Sequence, residues 1–277
     1  MISSRSIHLA SRGVVAMLAL AGAAACATVS QQQEVEMGAQ TAQQVNAQLP
    51  MLRDNVVDSY VNSLGNAIAS KTSRADLQWH FAVVNTDVIN AFALPGGYVY
   101  VNRGVITRAS NESELAGVLG HEIEHVVQRH SVKQMEQAQG ANIGVGLACA
   151  LTRVCENQAA QAAIQVGGTA VFAKFSRADE VQADEGGFQN VIRAGMNPRG
   201  MLTFFQKLLA EEQGGSSSSS AWFSDHPGTQ DRIADIQRML DQTPATKTSA
   251  LRTDSPTFQQ MRSRIASLPA APPPPKQ

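Results

Sequence analysis

The chain is short of charge, of basic runs, of long apolar runs and of internal repeats, and each shortage closes off a class of protein. Charged residues make up 16% of the 277 positions, the formal net charge is −1, and no Lys/Arg-rich run occurs, so a nucleic-acid surface has no electrostatic support. No apolar stretch reaches the roughly 20 residues that a membrane-spanning helix needs. The longest candidate, residues 141–173, is rich in Ala and Gly but is interrupted by Arg153 and Glu156. It reads as a helical hairpin that packs on the domain or touches a membrane surface. No repeat period of solenoid length is present.

What is there suits one well-packed domain with appendages. Arg5 and Arg12 precede a short apolar stretch, Gly13 to Ala25, that ends in Ala23-Ala24-Ala25-Cys26. Residues 1–26 therefore read as a secretory signal peptide. Cys26 has two readings. It has the form of a bacterial lipoprotein cleavage site, where the cysteine is lipidated, although Ala23 stands where a Leu is usual. The other reading is ordinary cleavage near Ala25 or Ala27. Export implies an oxidising compartment, so Cys149 and Cys155 are a candidate local disulfide, or else two buried thiols.

Residues 31–49, polar, Gln-rich and free of glycine except Gly38, read as helical, and helical periodicity runs through Asp54 to Ser70, where Val57, Tyr60, Val61, Leu64, Ala67 and Ile68 recur on one face. Trp79 to Val84, Asn90 to Leu94 and Tyr98 to Val101 read as short strands, the last two separated by Pro95-Gly96-Gly97. A helix opens at Asn111, with Glu114 three residues on in capping-box form, and is expected to run to about Lys133. Further helices are expected over 178–194, closed by Gly195, then after Asn197-Pro198, and over 229–240. Gly214 to Ser220 reads as a low-complexity loop, and 243–277, ending in a proline run, as a disordered tail. The domain proper is thus 31–242. The fold class is α+β, mainly α, with a small β-sheet beside the helix that begins at Asn111.

That helix contains His121-Glu122-Ile123-Glu124-His125, an H-E-x-x-H pattern. Residues four apart share a helical face, so both imidazoles can reach one zinc ion (Zn2+). Zinc lowers the pKa of water towards neutrality, and Glu122 follows the first ligand where a carboxylate can take the proton as base. A catalytic zinc wants a third protein ligand. A histidine six residues after His125 would supply one, but that position is Ser131, and Gln128 stands where that pattern has glycine. His130 is one residue short and, on a continuous helix, points well away from the pair, which leaves it a structural or surface role. A later carboxylate is the other source. Glu180 and Asp184 lie four apart in Ser176–Asp184, where Glu180 can bind zinc and Asp184 can hold a ligand histidine's free N–H. The same residues can equally form an ordinary solvated acidic face.

Four blocks in order then resemble one family, the HtpX/BepA-like metallopeptidases, gluzincins related to the CAAX prenyl proteases. They are Asn90-Ala91-Phe92-Ala93-Leu94-Pro95-Gly96-Gly97, the His121–His125 motif, Ser176-Arg177 with Glu180, Ala183, Asp184 and Gly187, and His226-Pro227 followed by Arg232. The resemblance covers roughly residues 34–240. It implies a zincin-like domain with Glu180 as third zinc ligand. It implies that the Asn90, Ala91, Phe92, Ala93 strand edges a cleft where an extended peptide can pair. It also suggests that His226 lies near the metal, where such a loop histidine can fill the open position; alternatively His226 caps the 229–240 helix. Arg232 is expected to pair with an acidic residue near the site, with no partner named.

The expected protein is an exported zinc metalloendopeptidase of the bacterial periplasm, anchored to the outer membrane if Cys26 is lipidated. It would act on misfolded or misassembled polypeptides. The alternative is a chaperone-like factor that works with the outer-membrane assembly machinery, proteolysis being secondary. No nucleic-acid partner is expected, and membrane contact is expected only through the lipid anchor.

Overall fold

A computed structural model describes residues 28–138, 175–214, 222 and 225–272. The signal segment with Cys26, the 141–173 segment with Cys149 and Cys155, and most of the 214–220 loop lie outside the described residues.

The N-terminal part is helical: α1 (Gln31–Gln48) and α2 (Asn55–Ala69). Ser30 and Gln33 close a reciprocal capping box on α1, and the Asp54 carboxylate accepts from Val56 and Val57 N–H at the start of α2. Three strands follow, β1 (His80–Val84), β2 (Ala91–Leu94) and β3 (Tyr98–Asn102), in the order β1-β3-β2. β1 runs parallel to β3, with His80 opposite Tyr98, and β2 runs antiparallel to it, with Ala91 opposite Val101. The tight β2–β3 return needs Gly96 and Gly97 at φ +77° and +100°, which side-chain-bearing residues rarely adopt.

Alternation along the strands sends two sets of side chains to opposite faces. Phe81, Val83, Ala91, Ala93, Val99 and Val101 join the main core with α2, whereas Leu94 and Tyr100 pack with Ala42 and Val45 of α1. Among the described residues the sheet is therefore covered on both faces, and β2 lies last in the strand order.

On the main-core side lie α3 (Arg103–Arg108), α4 (Glu112–Val127), α5 (Arg177–Arg193), α6 (Arg199–Gln213) and α7 (Thr229–Gln242). Asn111 caps α4 by accepting from Glu114 N–H. The Glu114 carboxylate answers to Ser110 N–H at 2.7 Å, one residue earlier than a reciprocal box requires. α5 closes as foreseen: Gly195, at φ +80°, donates to Ile192 O and Met196 donates to Val191 O, the paired bonds of a Schellman motif.

Two expectations are corrected. α4 stops at Val127 rather than near Lys133, because Arg129 takes φ +58° and a new helical stretch starts at 130. Left-handed backbone costs such a residue about 1–2 kcal/mol. Ion pairing with the buried Glu34 carboxylate at 2.8 Å and a hydrogen bond to the Val29 carbonyl offset that cost. The second correction concerns residues 243–277. They contain α8 (Ala245–Thr248) and α9 (Pro256–Ser267), and Phe258, Met261 and Ile265 of α9 are buried in the main core. Ser255 caps α9, and Arg103 donates to the Ile265 and Pro269 carbonyls at its far end. The apolar face of α9 outweighs the proline-rich composition around it.

Candidate metal centre

Helices α4 and α5 approach closely because both are glycine where they cross. A Cβ on Gly187 would lie 2.9 Å from the Gly120 carbonyl carbon and oxygen and from His121 N, and one on Gly120 would meet Val191 Cγ1 at 2.8 Å. His121 follows Gly120 directly, and Glu180 lies about two turns before Gly187 on α5. The glycine contact therefore sets how near the two helices bring their polar side chains.

His121, His125 and Glu180 converge, joined by His226. Each offers one ligand atom, and these atoms all lie within 4.8 Å of one another, with every residue buried. His121 Nε2 is 3.4 Å from Glu180 Oε2, and His125 Nε2 is 3.5 Å from Glu180 Oε1. His226 Nδ1 stands 3.2 Å from both His121 Nε2 and Glu180 Oε1. Two imidazoles and a carboxylate form a donor set that zinc takes readily. The solvated acidic face allowed by the sequence is not what α5 presents, since Glu180 and Asp184 are buried.

Glu122 provides an independent test of fit. Both of its carboxylate oxygens are buried without a hydrogen-bond partner among the described residues, and Oε1 lies 3.5 Å from His226 Nε2. Burial pushes this carboxyl up from its ordinary range. A buried carboxylate left unpartnered beside a ligand cluster suits a proton acceptor at a metal site, and has no evident structural use.

Around the cluster, Asp184 Oδ1 is 2.9 Å from His121 Nδ1, the contact expected of it. Arg232, without a named partner in the sequence reading, donates to both Asp184 oxygens at 2.6 and 2.8 Å and pairs with Glu180 Oε2 at 2.6 Å. Burial pushes the Asp184 carboxyl up, but Arg232 and His121 outweigh it and hold the group below its usual value. Burial and Arg232 push His121 down, whereas the Asp184 and Glu180 carboxylates outweigh both and bring it up to about 9. Burial, then the neighbouring His121, hold His125 well below its ordinary value.

The strand Asn90, Ala91, Phe92, Ala93 borders the site through its first residues. Asn90 Nδ2 donates to Asp225 at 2.8 Å, and His226 Nε2 lies 3.4 Å from the Ala91 carbonyl. Trp222 stacks on His226 with ring centroids 4.5 Å apart, and Phe175 stacks on His125 at 4.0 Å. Capping of α7 by the His226 side chain, the alternative reading, is not what the structure has: the N-cap is Gly228, with no side-chain bond.

The expectation that His130 points well away from the histidine pair is corrected. The residue is buried, with Nδ1 2.9 Å from His125 Nδ1, because the break at Arg129 turns it back towards the site. No glycine or proline announces that break; the buried Glu34 that steadies it is 95 residues away. Gln182, 3.1 Å from His130 Nε2, was not foreseen.

A small sheet flanking an H-E-x-x-H helix, with a carboxylate delivered from a second helix, defines the zincin-like class of metal-dependent peptidase domains. The sequence comparisons specify it further. The model of peptidase family M48 matches residues 55–240, and the chain belongs to that family. Similar relatives include a beta-barrel assembly-enhancing protease of Yersinia pestis, 35% identical over 80% of this chain and 46% of the relative. Others are the mitochondrial metalloendopeptidase OMA1 of Schizosaccharomyces pombe, at 31% over 65% and 52%, and metalloprotease LoiP of Escherichia coli (strain K12), at 30% over 64% and 66%. The chain spans about half the length of the beta-barrel assembly-enhancing proteases it matches. Family M48 is zinc-dependent, so the cofactor is Zn2+. No helix among the described residues is long and apolar enough to cross a membrane.

Proposed function

We propose that this chain is a zinc metalloendopeptidase of the bacterial cell envelope, with His121, His125 and Glu180 as ligands and Glu122 as base. The observation that carries the reading is the buried convergence of those three donors beside an unpartnered glutamate. When bound, zinc polarises the scissile carbonyl and makes water acidic enough to lose a proton near neutrality. Glu122 accepts that proton, its carboxylate having no hydrogen-bond partner among the described residues. Asp184 fixes the His121 ring through Nδ1, and Arg232 anchors both Asp184 and Glu180. An extended substrate pairs with the outer edge of β2, at Asn90 to Ala93.

His226 stands within ligand distance of the cluster and against that same strand edge, so it would serve as a fourth holder of the metal and would shield the cleft while it stays there. The apolar N-terminal segment supports export to the periplasm, with Cys26 as the lipid attachment point for the outer membrane. Cys149 and Cys155 then lie in an oxidising compartment where they can pair. The substrates are misfolded or misassembled envelope polypeptides; the names of the relatives support a peptidase and a connection with beta-barrel assembly.

The test is casein cleavage by wild type, Glu122→Gln and His226→Ala at equal zinc content. Loss in the first variant and a gain in the second are expected; a Glu122→Gln protein that cleaves like wild type overturns the reading. The name of the Yersinia pestis relative, a beta-barrel assembly-enhancing protease, favours one alternative, a chaperone-like factor for outer-membrane proteins. Full biological activity of Glu122→Gln would favour that alternative.

A further inference from the structure

We propose that His130 is a positioning residue of the metal centre, which holds His125 in the tautomer that offers Nε2 to zinc by way of a His125–His130–Gln182 relay. The inference rests on the reading of His125 as a ligand and adds a residue outside the H-E-x-x-H motif.

Orientation comes first. His125 Nε2 faces the ligand cluster, 3.0 Å from His121 Nε2 and 3.5 Å from Glu180 Oε1. Its Nδ1 faces away and lies 2.9 Å from His130 Nδ1. The other nitrogen of His130 is 3.1 Å from Gln182 Oε1 and 3.6 Å from Asp179 Oδ1.

Two ring nitrogens at that separation need one proton between them. A neutral His125 that gives Nε2 to the metal carries its proton on Nδ1 and donates it. His130 then accepts at Nδ1 and carries its own proton on Nε2. There it donates to the Gln182 amide oxygen, with the Asp179 carboxylate 3.6 Å away favouring the same proton. The reverse arrangement sets a lone pair on His130 Nε2 against two acceptors. The surroundings of His130 thus select one tautomer of His125, at a distance of two rings.

The backbone supports this placement. Arg129 is the one non-glycine residue at positive φ among the described residues, and that turn is what brings His130 back to His125. Glu34, fully buried, grips Arg129 and also Arg74, and Arg74 Nη1 donates to the Val126 carbonyl at the end of α4. The two ligand histidines are consequently held differently. His121 leans on the Asp184 carboxylate with Arg232 behind it, whereas His125 leans on a neutral ring.

The experiment measures zinc affinity of the metal-free protein by chelator competition, for wild type, His130→Phe and His130→Asn, with a thermal melt of each metal-free protein. Phe keeps the ring and removes the acceptor; Asn returns an oxygen near the position of Nδ1. The relay predicts a 10–100-fold weaker affinity for Phe, most of it recovered by Asn, with metal-free melts alike. Nitrogen-15 spectra of the zinc-loaded wild type should show the His125 proton on Nδ1. Wild-type affinity in the Phe variant, an Asn variant as weak as a folded Phe variant, or a proton on His125 Nε2 overturns the relay alone. If His130→Phe does not fold, the Asn variant decides by binding zinc like wild type or not, together with the nitrogen spectra. A wild type that takes up no zinc overturns the metal-centre assignment and the relay with it.

Discussion

Adding one methyl group at Gly187 tests whether helix spacing sets the metal site. The new carbon would lie 2.9 Å from Gly120 C, Gly120 O and His121 N. Ordinary contact begins at about 3.5 Å, so α4 and α5 must part by roughly 0.5–1 Å, and backbone atoms cannot swing aside as a side-chain tip can. Overpacking of this kind costs about 1–3 kcal/mol, and the better helix propensity of Ala returns up to about 1 kcal/mol. A net loss of up to about 2 kcal/mol lowers Tm by several degrees in a chain of this size. The functional effect is larger than the thermal one. Glu180 moves with α5 and His121 with α4, and a misplacement on the order of 1 Å costs about 100-fold in rate. Gly120→Ala provides the comparison, because its methyl meets the Val191 side chain rather than backbone first. Val191→Ala should partly rescue Gly120→Ala and should not rescue Gly187→Ala, in a double-mutant cycle read by zinc affinity and casein cleavage. A Gly187→Ala protein with wild-type Tm and wild-type zinc affinity refutes the reasoning.

Other perturbations separate the remaining contributions. Arg232→Met should destabilise the metal-free protein by about 3–5 kcal/mol in urea, since it removes the guanidinium that pairs with the buried carboxylates of both Asp184 and Glu180; a loss below about 1 kcal/mol contradicts this. Phe258→Ala should cost about 3–5 kcal/mol, because the ring is fully buried in the main core; an unchanged melt would return α9 to the status of an appendage. Asp54→Ala should cost about 1 kcal/mol at neutral pH through the lost α2 cap. Burial pushes the Asp54 carboxyl up, but hydrogen bonds from Val57 N–H and Arg264 outweigh it and lower its pKa. The Asp54 contribution is therefore full above pH 3.8 and fades as the pH falls through the lowered value, so melts of wild type and variant should converge in acid.

The parts of this fold legible in the sequence are those whose signal is local. The α2 face, the three strands, the Gly195 closure of α5 and the H-E-x-x-H spacing each lie within a single element, and the structure has them within a residue or two. What escaped depends on distant partners. The break at Arg129 rests on Glu34, and Arg232 finds Asp184 and Glu180 across the core. The α9 helix did carry a local signal: Ser255 and Pro256 open it, and Phe258, Met261 and Ile265 recur at helical spacing. The proline-rich composition that follows hid it. The antiparallel placement of β2 beside β3, at the end of the strand order among the described residues, is a matter of topology that no short pattern encodes.

The central claim is that α4 and α5 together grip one zinc ion while Glu122 only faces it. Zinc content after purification and dialysis, measured by mass spectrometry for wild type, Glu180→Ala and Glu122→Gln, tests it most directly. The account predicts about one zinc per chain in wild type and in Glu122→Gln, and almost none in Glu180→Ala. Full zinc in Glu180→Ala, or its loss from a folded Glu122→Gln, would contradict it.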